Sequence, residues 1–323
     1  LTHSEVRAKE ILEDMQFFTK TGMYYPAKDI LFYSADVHSM EMNRQRFLVV
    51  EKLLEGKCPL IVASVEALLD RYPKKEVFAS FLLTLHVGEV RELTDLTKQL
   101  VFIGYERAEL VESPGQFAVR GGILDVYPLT AEDAVRIEFW DDEIDSIRTM
   151  DAQSQRSVDK LNSVTIFPMR ELVYDEETAK AAADKMEADY KKALKKMEKS
   201  TVEDGVERMK EHIGENIDLL RSELSFASVG SFINYFYDDT VSLLSYLPED
   251  TILCFDEPQR LAEHMDTLRQ EYEESMKGRI AQGFLLPAQS KLLFDYLDIL
   301  RQAEEFDRIL LAGISQRTPH FQP

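Results

Sequence analysis

Residues 113–161 read SPGQFAVRGGILDVYPLTAEDAVRIEFWDDEIDSIRTMDAQSQRSVDKL, and this stretch decides the fold. Apolar and polar side chains alternate along it, as in Phe117/Val119 and in Val135/Ile137/Phe139. A period of two marks a strand with one buried face. The alternation predicts strands over 107–112, 116–120, 123–127, 135–140 and 143–149. Ser113-Pro-Gly115, Asp133 and Asp141-Asp142 supply the turn residues between them. Connections this short make neighbouring strands antiparallel. With a helix predicted over 93–100, residues 78–171 form a small α+β domain with an antiparallel sheet.

The flanks read differently. Residues 1–77 are α/β. Ser4 is the predicted N-cap of a helix through Phe18, with Val6, Ile11 and Met15 on its apolar face. A second helix is predicted over Met40–Glu55, with Phe47, Val50 and Leu54 inward and Arg44, Arg46 and Glu51 outward, stopped by Gly56. The β-branched run from Pro59 to Ser64 suits a buried parallel strand, and Val65–Arg71 a short helix. Composition shifts near Pro73-Lys-Lys75. Residues 172–323 return as a charged helical arm over 175–223, an aromatic-rich helix over Phe226–Tyr246 and a buried strand at Asp250–Asp256. Helices over Pro258–Lys277 and Leu292–Ala303 complete it. In the arm, Met186, Tyr190, Leu194 and Met197 form one narrow apolar stripe, which does not persist through Lys199–Asp204.

The 323 residues carry 38 Lys and Arg against 59 Asp and Glu, a net charge of −21. Such a chain is repelled by nucleic-acid phosphates unless its basic residues gather on one patch. Cys58 and Cys254 are too few for a disulfide framework and have no metal-ligand spacing, which fits a reduced, cytoplasmic protein. No apolar run approaches the roughly 20 residues of a membrane-spanning helix. The opening LTHSEVRAKE and closing QRTPHFQP are those expected of a fragment.

Catalytic motifs are missing from the sequence. It has no phosphate-binding G-x-x-x-x-G-K-[ST], no nucleophile elbow, no H-E-x-x-H and no C-x-x-C. No catalytic residue and no metal ligand is therefore assigned. One segment has the form of a nucleotide-hydrolysis element: the strand Ile252–Phe255 runs into Asp256-Glu257. In phosphate-loop enzymes such an aspartate holds Mg²⁺. Without the loop, the pair reads as a vestige.

The strand 135–140 carries a second signal. Val135, Ile137 and Phe139 face one way, and Arg136, Glu138 and Trp140 the other. The only tryptophan thus falls on the polar face beside an arginine, and Arg120 ends a strand that shares that face. Arginine and tryptophan are enriched in interface hot spots. Two readings stand. Either these residues dock a partner, or Trp140 folds over the sheet edge while Arg136 pairs with Glu138 or a neighbouring strand. On the docking reading, replacing Arg120, Arg136 and Trp140 leaves the fold intact, because the core face is untouched.

Residues 113–161 resemble the bacterial transcription-repair coupling factors (Mfd) and, more distantly, the excinuclease component UvrB. The pattern is G-x-F-x-V-R-G…P…R-x-E-F-W-x-D-E-I. YYPAKDILFYSADVHSMEMNRQR, residues 24–46, and LLSYLPEDTILCFDEP, residues 243–258, extend the resemblance to the N-terminal UvrB-like module. It implies a degenerate RecA-like, phosphate-loop-type α/β domain interrupted by a small domain that binds the excinuclease component UvrA, with a helical extension. The contact positions carry over as Arg120, Arg136 and Trp140, with Glu138 a further candidate; Trp140 stands where the family often has Phe. Asp256 and Glu257 become a vestigial nucleotide site. UvrB clamps DNA with a long Tyr-rich hairpin, which is expected to be absent after Tyr25. The implied function is a non-catalytic adaptor without cofactors, recruiting UvrA to lesions where RNA polymerase has stalled. ATP and magnesium, RNA polymerase and double-stranded DNA belong to the full-length protein and its motor domains. The alternative is an ATP-dependent UvrB-like helicase or DNA-binding fragment lacking its phosphate loop.

Overall fold

The computed structural model describes residues 1–28, 40–57, 60–222 and 226–313. The chain divides into two units, Leu1–Lys75 with Glu176–Pro323, and Glu76–Asp175. Two sequence expectations, on the segment after Tyr25 (residues 29–39) and on Cys58, fall outside the described residues.

The first unit begins with α1 (Glu5–Met15), where Ser4 Oγ accepts the Arg7 N–H at 3.3 Å. This helix stops at Met15, short of the expected Phe18, and leaves Phe17 and Phe18 exposed. β1 (Met23–Tyr25), α2 (Met40–Leu54) and β2 (Ile61–Ala63) follow. β1 and β2 pair in parallel, and Thr2 makes a further parallel bridge to Ser64. Of the α2 side chains expected inward, Phe47 and Val50 are buried and Leu54 is half-buried, with Leu53 taking the buried place beside it. Arg46 departs from the expected outward position. It is fully buried, donates to Asp70 Oδ2 at 2.6 Å and to the Pro26 carbonyl at 2.6 Å, and lies 4.4 Å from the Tyr25 ring centroid. The Tyr72 hydroxyl oxygen also accepts from it. A buried guanidinium needs its N–H groups satisfied, and this pocket supplies a charge, a carbonyl and a hydroxyl.

In the second unit, α3 (Lys75–Ala79), β3 (Leu83–His86) and α4 (Leu93–Phe102) precede β4 (Glu106–Arg107), β5 (Gln116–Arg120), β6 (Ile123–Val126), β7 (Ala134–Trp140), β8 (Glu143–Asp151), β9 (Arg156–Leu161) and β10 (Ser163–Ile166). β4 to β9 form a six-stranded sheet in sequence order, antiparallel from β5 onward, while β3 pairs with β10. One face of the sheet carries Phe117, Leu124, Val126, Val135, Ile137 and Ile147 against Leu96 and Leu100 of α4 and Leu85 of β3. The strand expected over 107–112 shrinks to two residues. Beyond Arg107 the chain bends so that Val111 packs on Ala118, Ala134 and Met150, on the opposite face. Gly121, at φ +61°, makes the two-residue turn between β5 and β6. A Cβ on Gly122 would meet the Phe139 carbonyl at 3.0 Å.

The first unit resumes with α5 (Glu176–Met197), α6 (Gly205–Met209), α7 (Glu215–Arg221) and α8 (Ile233–Phe236). The expected single arm is therefore broken, and the break falls where the apolar stripe lapses. Asp204 there takes a left-handed φ of +54°. Met186 and Met197 of the stripe are buried. Nor is Phe226–Tyr246 one helix: 3-10 segments, Ala227–Phe232 and Leu243–Tyr246, flank α8. Ser242 Oγ accepts the Leu244 N–H at 3.2 Å and starts the second segment locally. β11 (Ile252–Asp256), α9 (Pro258–Ala281), α10 (Tyr296–Ala303) and β12 (Asp307–Leu311) complete the elements among the described residues. β11 and β12 are parallel. Among the described residues no helix is long and apolar enough to cross a membrane.

Candidate partner-docking surface

The strand register places Arg120, Ile123, Asp125, Arg136, Glu138, Ser146 and Arg148 on the sheet face opposite the main core. Asp125 pairs directly with Arg136, and Arg136 with Arg148. A bulge at Glu138/Phe139 admits Asp145 as an extra residue of β8, and Phe139 stays on the core side. Trp140, the last residue of β7, pairs with Glu143 across a two-residue turn in which Asp141 has φ +57°. Its side chain is 80% exposed. Of the two sequence readings, folding of the tryptophan over the sheet edge is thus excluded.

The arginines are placed otherwise than a free docking pair would be. Asp125 is buried, with 1% of its side chain accessible, and both arginines converge on it. Arg136 binds it with two N–H groups, Nε to Oδ1 at 2.7 Å and Nη2 to Oδ2 at 2.8 Å. Arg120 Nη2 reaches Oδ2 at 2.6 Å. The Asp125 carboxylate holds the Arg136 guanidinium above its ordinary pKa, against the opposing effect of partial burial. Arg136 keeps only 14% of its side chain accessible, whereas Arg120 keeps 44%. Arg136 is therefore corrected from an open contact to a largely internal one. Its partner is Asp125 on the neighbouring strand, as the alternative reading required. The expected survival of the fold without Arg120 and Arg136 is corrected with it. Their removal leaves a buried carboxylate uncompensated.

Glu138 is half committed: Ser146 Oγ donates to its Oε2 at 2.6 Å, and Arg148 Nη2 stands 3.9 Å from the same oxygen. Sequence reasoning missed Asp125, Arg148 and Val90. Val90 bridges to Glu143 from the side opposite Trp140 and is 70% exposed, so an exposed apolar residue stands on each side of Glu143. The loop carrying it is fixed by backbone bonds from Gly88 N–H to the Ile144 carbonyl at 2.8 Å and from Arg91 N–H to the Asp142 carbonyl at 2.8 Å.

The acidic motif in the first unit has a different environment. Asp256 ends β11 and takes Arg7 Nε on Oδ2 at 3.0 Å. Glu257 sits at φ +54° ahead of α9, and its Oε1 accepts the Gly313 N–H at 2.9 Å. Both carboxylates are engaged by the protein itself, a poor fit to a magnesium-binding pair. Among the described residues no group of three or more His, Cys, Asp or Glu side chains is arranged to hold a metal ion.

Residues 83–172 match the family model of the UvrB interaction domain. The chain is 33% identical over 292 residues to the transcription-repair-coupling factor of Bacillus subtilis (strain 168), covering 88% of this chain and 24% of that protein. The corresponding factor of Staphylococcus aureus (strain bovine RF122 / ET3-1) is 28% identical over 303 residues, 93% of this chain and 25% of that protein. The chain thus spans about a quarter of the length of these relatives. The resemblance carried by residues 113–161 is borne out, and the whole stretch lies inside the matched domain. Residues 83–172 thus carry the match to the UvrB interaction domain, in a chain that is similar along most of its length to part of the bacterial transcription-repair-coupling factors.

Proposed function

We propose that this chain is a non-catalytic adaptor that recruits the excinuclease component UvrA through the outer face of its six-stranded sheet, in transcription-coupled nucleotide excision repair. The observation that carries this reading is Trp140. It is a large apolar side chain left in solvent on a domain of an interaction-domain family, with exposed Val90 across Glu143 from it and the exposed part of Arg120 on the same face. An exposed tryptophan and an exposed arginine on one sheet face are the residue types of a binding hot spot. Glu138 and Arg136 lie two and four residues before Trp140 on the same face of β7. The parallel strand pairs of the first unit are read as a RecA-like domain that has become scaffold, since Asp256 is held by Arg7 and Glu257 by Gly313. RNA polymerase and double-stranded DNA are the further partners proposed for the longer protein, with ATP and magnesium serving its motor domains.

Calorimetry of the chain with purified UvrA tests the proposal. Saturable binding that falls about thirtyfold on Trp140→Ala is expected, the loss of one hot spot. Absence of binding, or binding untouched by Trp140→Ala, overturns it.

A further inference from the structure

We infer that Asp125 is the positioning residue of this surface: its buried carboxylate presets Arg120 and Arg136 for the partner. It has this role only if the outer face docks a partner, as proposed above. Arg120 comes from β5 and Arg136 from β7, on the two sides of the strand that carries Asp125. The carboxylate meets Arg136 with both oxygens, which fixes the plane of that guanidinium. The other end of Arg136 is held as well: its Nη1 donates to the Gln155 carbonyl at 3.4 Å, and the Gln155 amide donates to the carbonyls of Val111 and Ala152 at 2.9 and 2.7 Å.

Charge compensation alone does not account for this arrangement. A single bidentate arginine neutralises a buried aspartate, and Arg136 already does so. Arg120 adds a second positive charge at Oδ2, and it is the more exposed of the two. The result is a net positive group whose outer member is oriented before any partner arrives. A long side chain that is free in solvent must be ordered on binding; one already held is not. Neighbouring Glu138 is occupied by Ser146 and lies near Arg148, so it does not draw Arg120 or Arg136 away from Asp125.

The test is Asp125→Asn, alone and in an Arg120→Ala background, with UvrA as titrant and thermal unfolding of each variant recorded. Asp125→Asn is expected to weaken binding about tenfold or more while the chain still unfolds cooperatively. In the Arg120→Ala background the same change is expected to weaken binding markedly less, because one of the two side chains it orders is gone. Equal losses in both backgrounds show a merely structural aspartate and overturn the inference, as does unaltered binding of Asp125→Asn. Should Asp125→Asn lose its cooperative transition, the volume-conserving double replacement Asp125→Leu with Arg136→Met removes the buried pair without stranding a charge. Arg120→Ala is then expected to cost less in that background than in the parent, and an equal cost overturns the inference. Trp140→Ala separates the two levels. If it weakens binding while the Asp125 variants do not, positioning fails and docking stands. If neither changes binding, both fail.

Discussion

Among the described residues each unit of this protein holds one buried aspartate–arginine pair, and the two are finished differently. Arg46 and Asp70 in the first unit are closed off: the arginine is fully buried and its surroundings are Tyr25, Tyr72 and the Pro26 carbonyl. Arg136 and Asp125 in the second unit are closed on one side only. There a second arginine shares the carboxylate and extends into solvent, on the face that carries Trp140. A closed pair can serve only the fold, because nothing outside can reach it. A half-open pair fixes the geometry of what remains exposed. On the docking proposal, the difference separates structural from functional use of the same chemistry.

The sharpest way to break this contrast is to remove the closed arginine. Arg46→Ala leaves Asp70 buried without its partner, a defect that typically costs about 3–5 kcal/mol. Domains are stable by only about 5–15 kcal/mol, so the first unit is expected to unfold at much lower denaturant. Urea titration followed by far-ultraviolet circular dichroism reads the change. A midpoint close to that of the parent would mean that Asp70 finds other compensation and the pocket is not closed. Arg136→Ala is expected to cost less, about 2–3 kcal/mol, since Arg120 still reaches Asp125 Oδ2. It is also expected to weaken binding to UvrA, whereas an Arg46 defect acts through unfolding alone.

Trp140→Ala sharpens the comparison from the other side. The side chain is largely in solvent, so stability is expected to move by no more than about 0.5 kcal/mol. Binding is expected to fall about thirtyfold. A variant that unfolds early would place Trp140 in the structural class with Arg46.

The alternation of Phe117/Val119 and Val135/Ile137/Phe139 made the central sheet legible, because a strand with one buried face writes its period into the sequence. Asp125 was not legible. Its position is outward by the same alternation, and an aspartate there reads as solvated. What buries it comes from β5 and β7, which local periodicity does not report. β9, with Arg156, Asp159 and Lys160, is an exposed edge strand whose polar side chains carry no apolar alternation, and it was missed for that reason. Arg46 was assigned to solvent as a charged residue on a helix. Its partners lie 20 or more residues away at Pro26, Asp70 and Tyr72. Trp140 was found because exposure on the polar face of β7 follows from strand parity alone. Buried charges depend on distant residues and need the fold; exposed ones at the end of a regular strand do not.

The smallest expected effect concerns Asp256, another carboxylate that meets an arginine. Arg7 lies across from it with 41% of its side chain accessible, so this pair is neither closed like Arg46–Asp70 nor shared like Asp125. Solvent screens such a contact, and exposed or half-exposed ion pairs contribute about 0.2–1 kcal/mol. Asp256→Asn keeps the shape of the side chain and one acceptor oxygen for Arg7 Nε. Stability is therefore expected to change by less than about 1 kcal/mol, and binding to UvrA to stay at the parent value. Release of phosphate from ATP is expected to remain at background in the parent and in the variant alike. Hydrolysis by the parent that disappears in Asp256→Asn would show that the carboxylate leaves Arg7 to serve a nucleotide, and would move this pair from scaffold to active site.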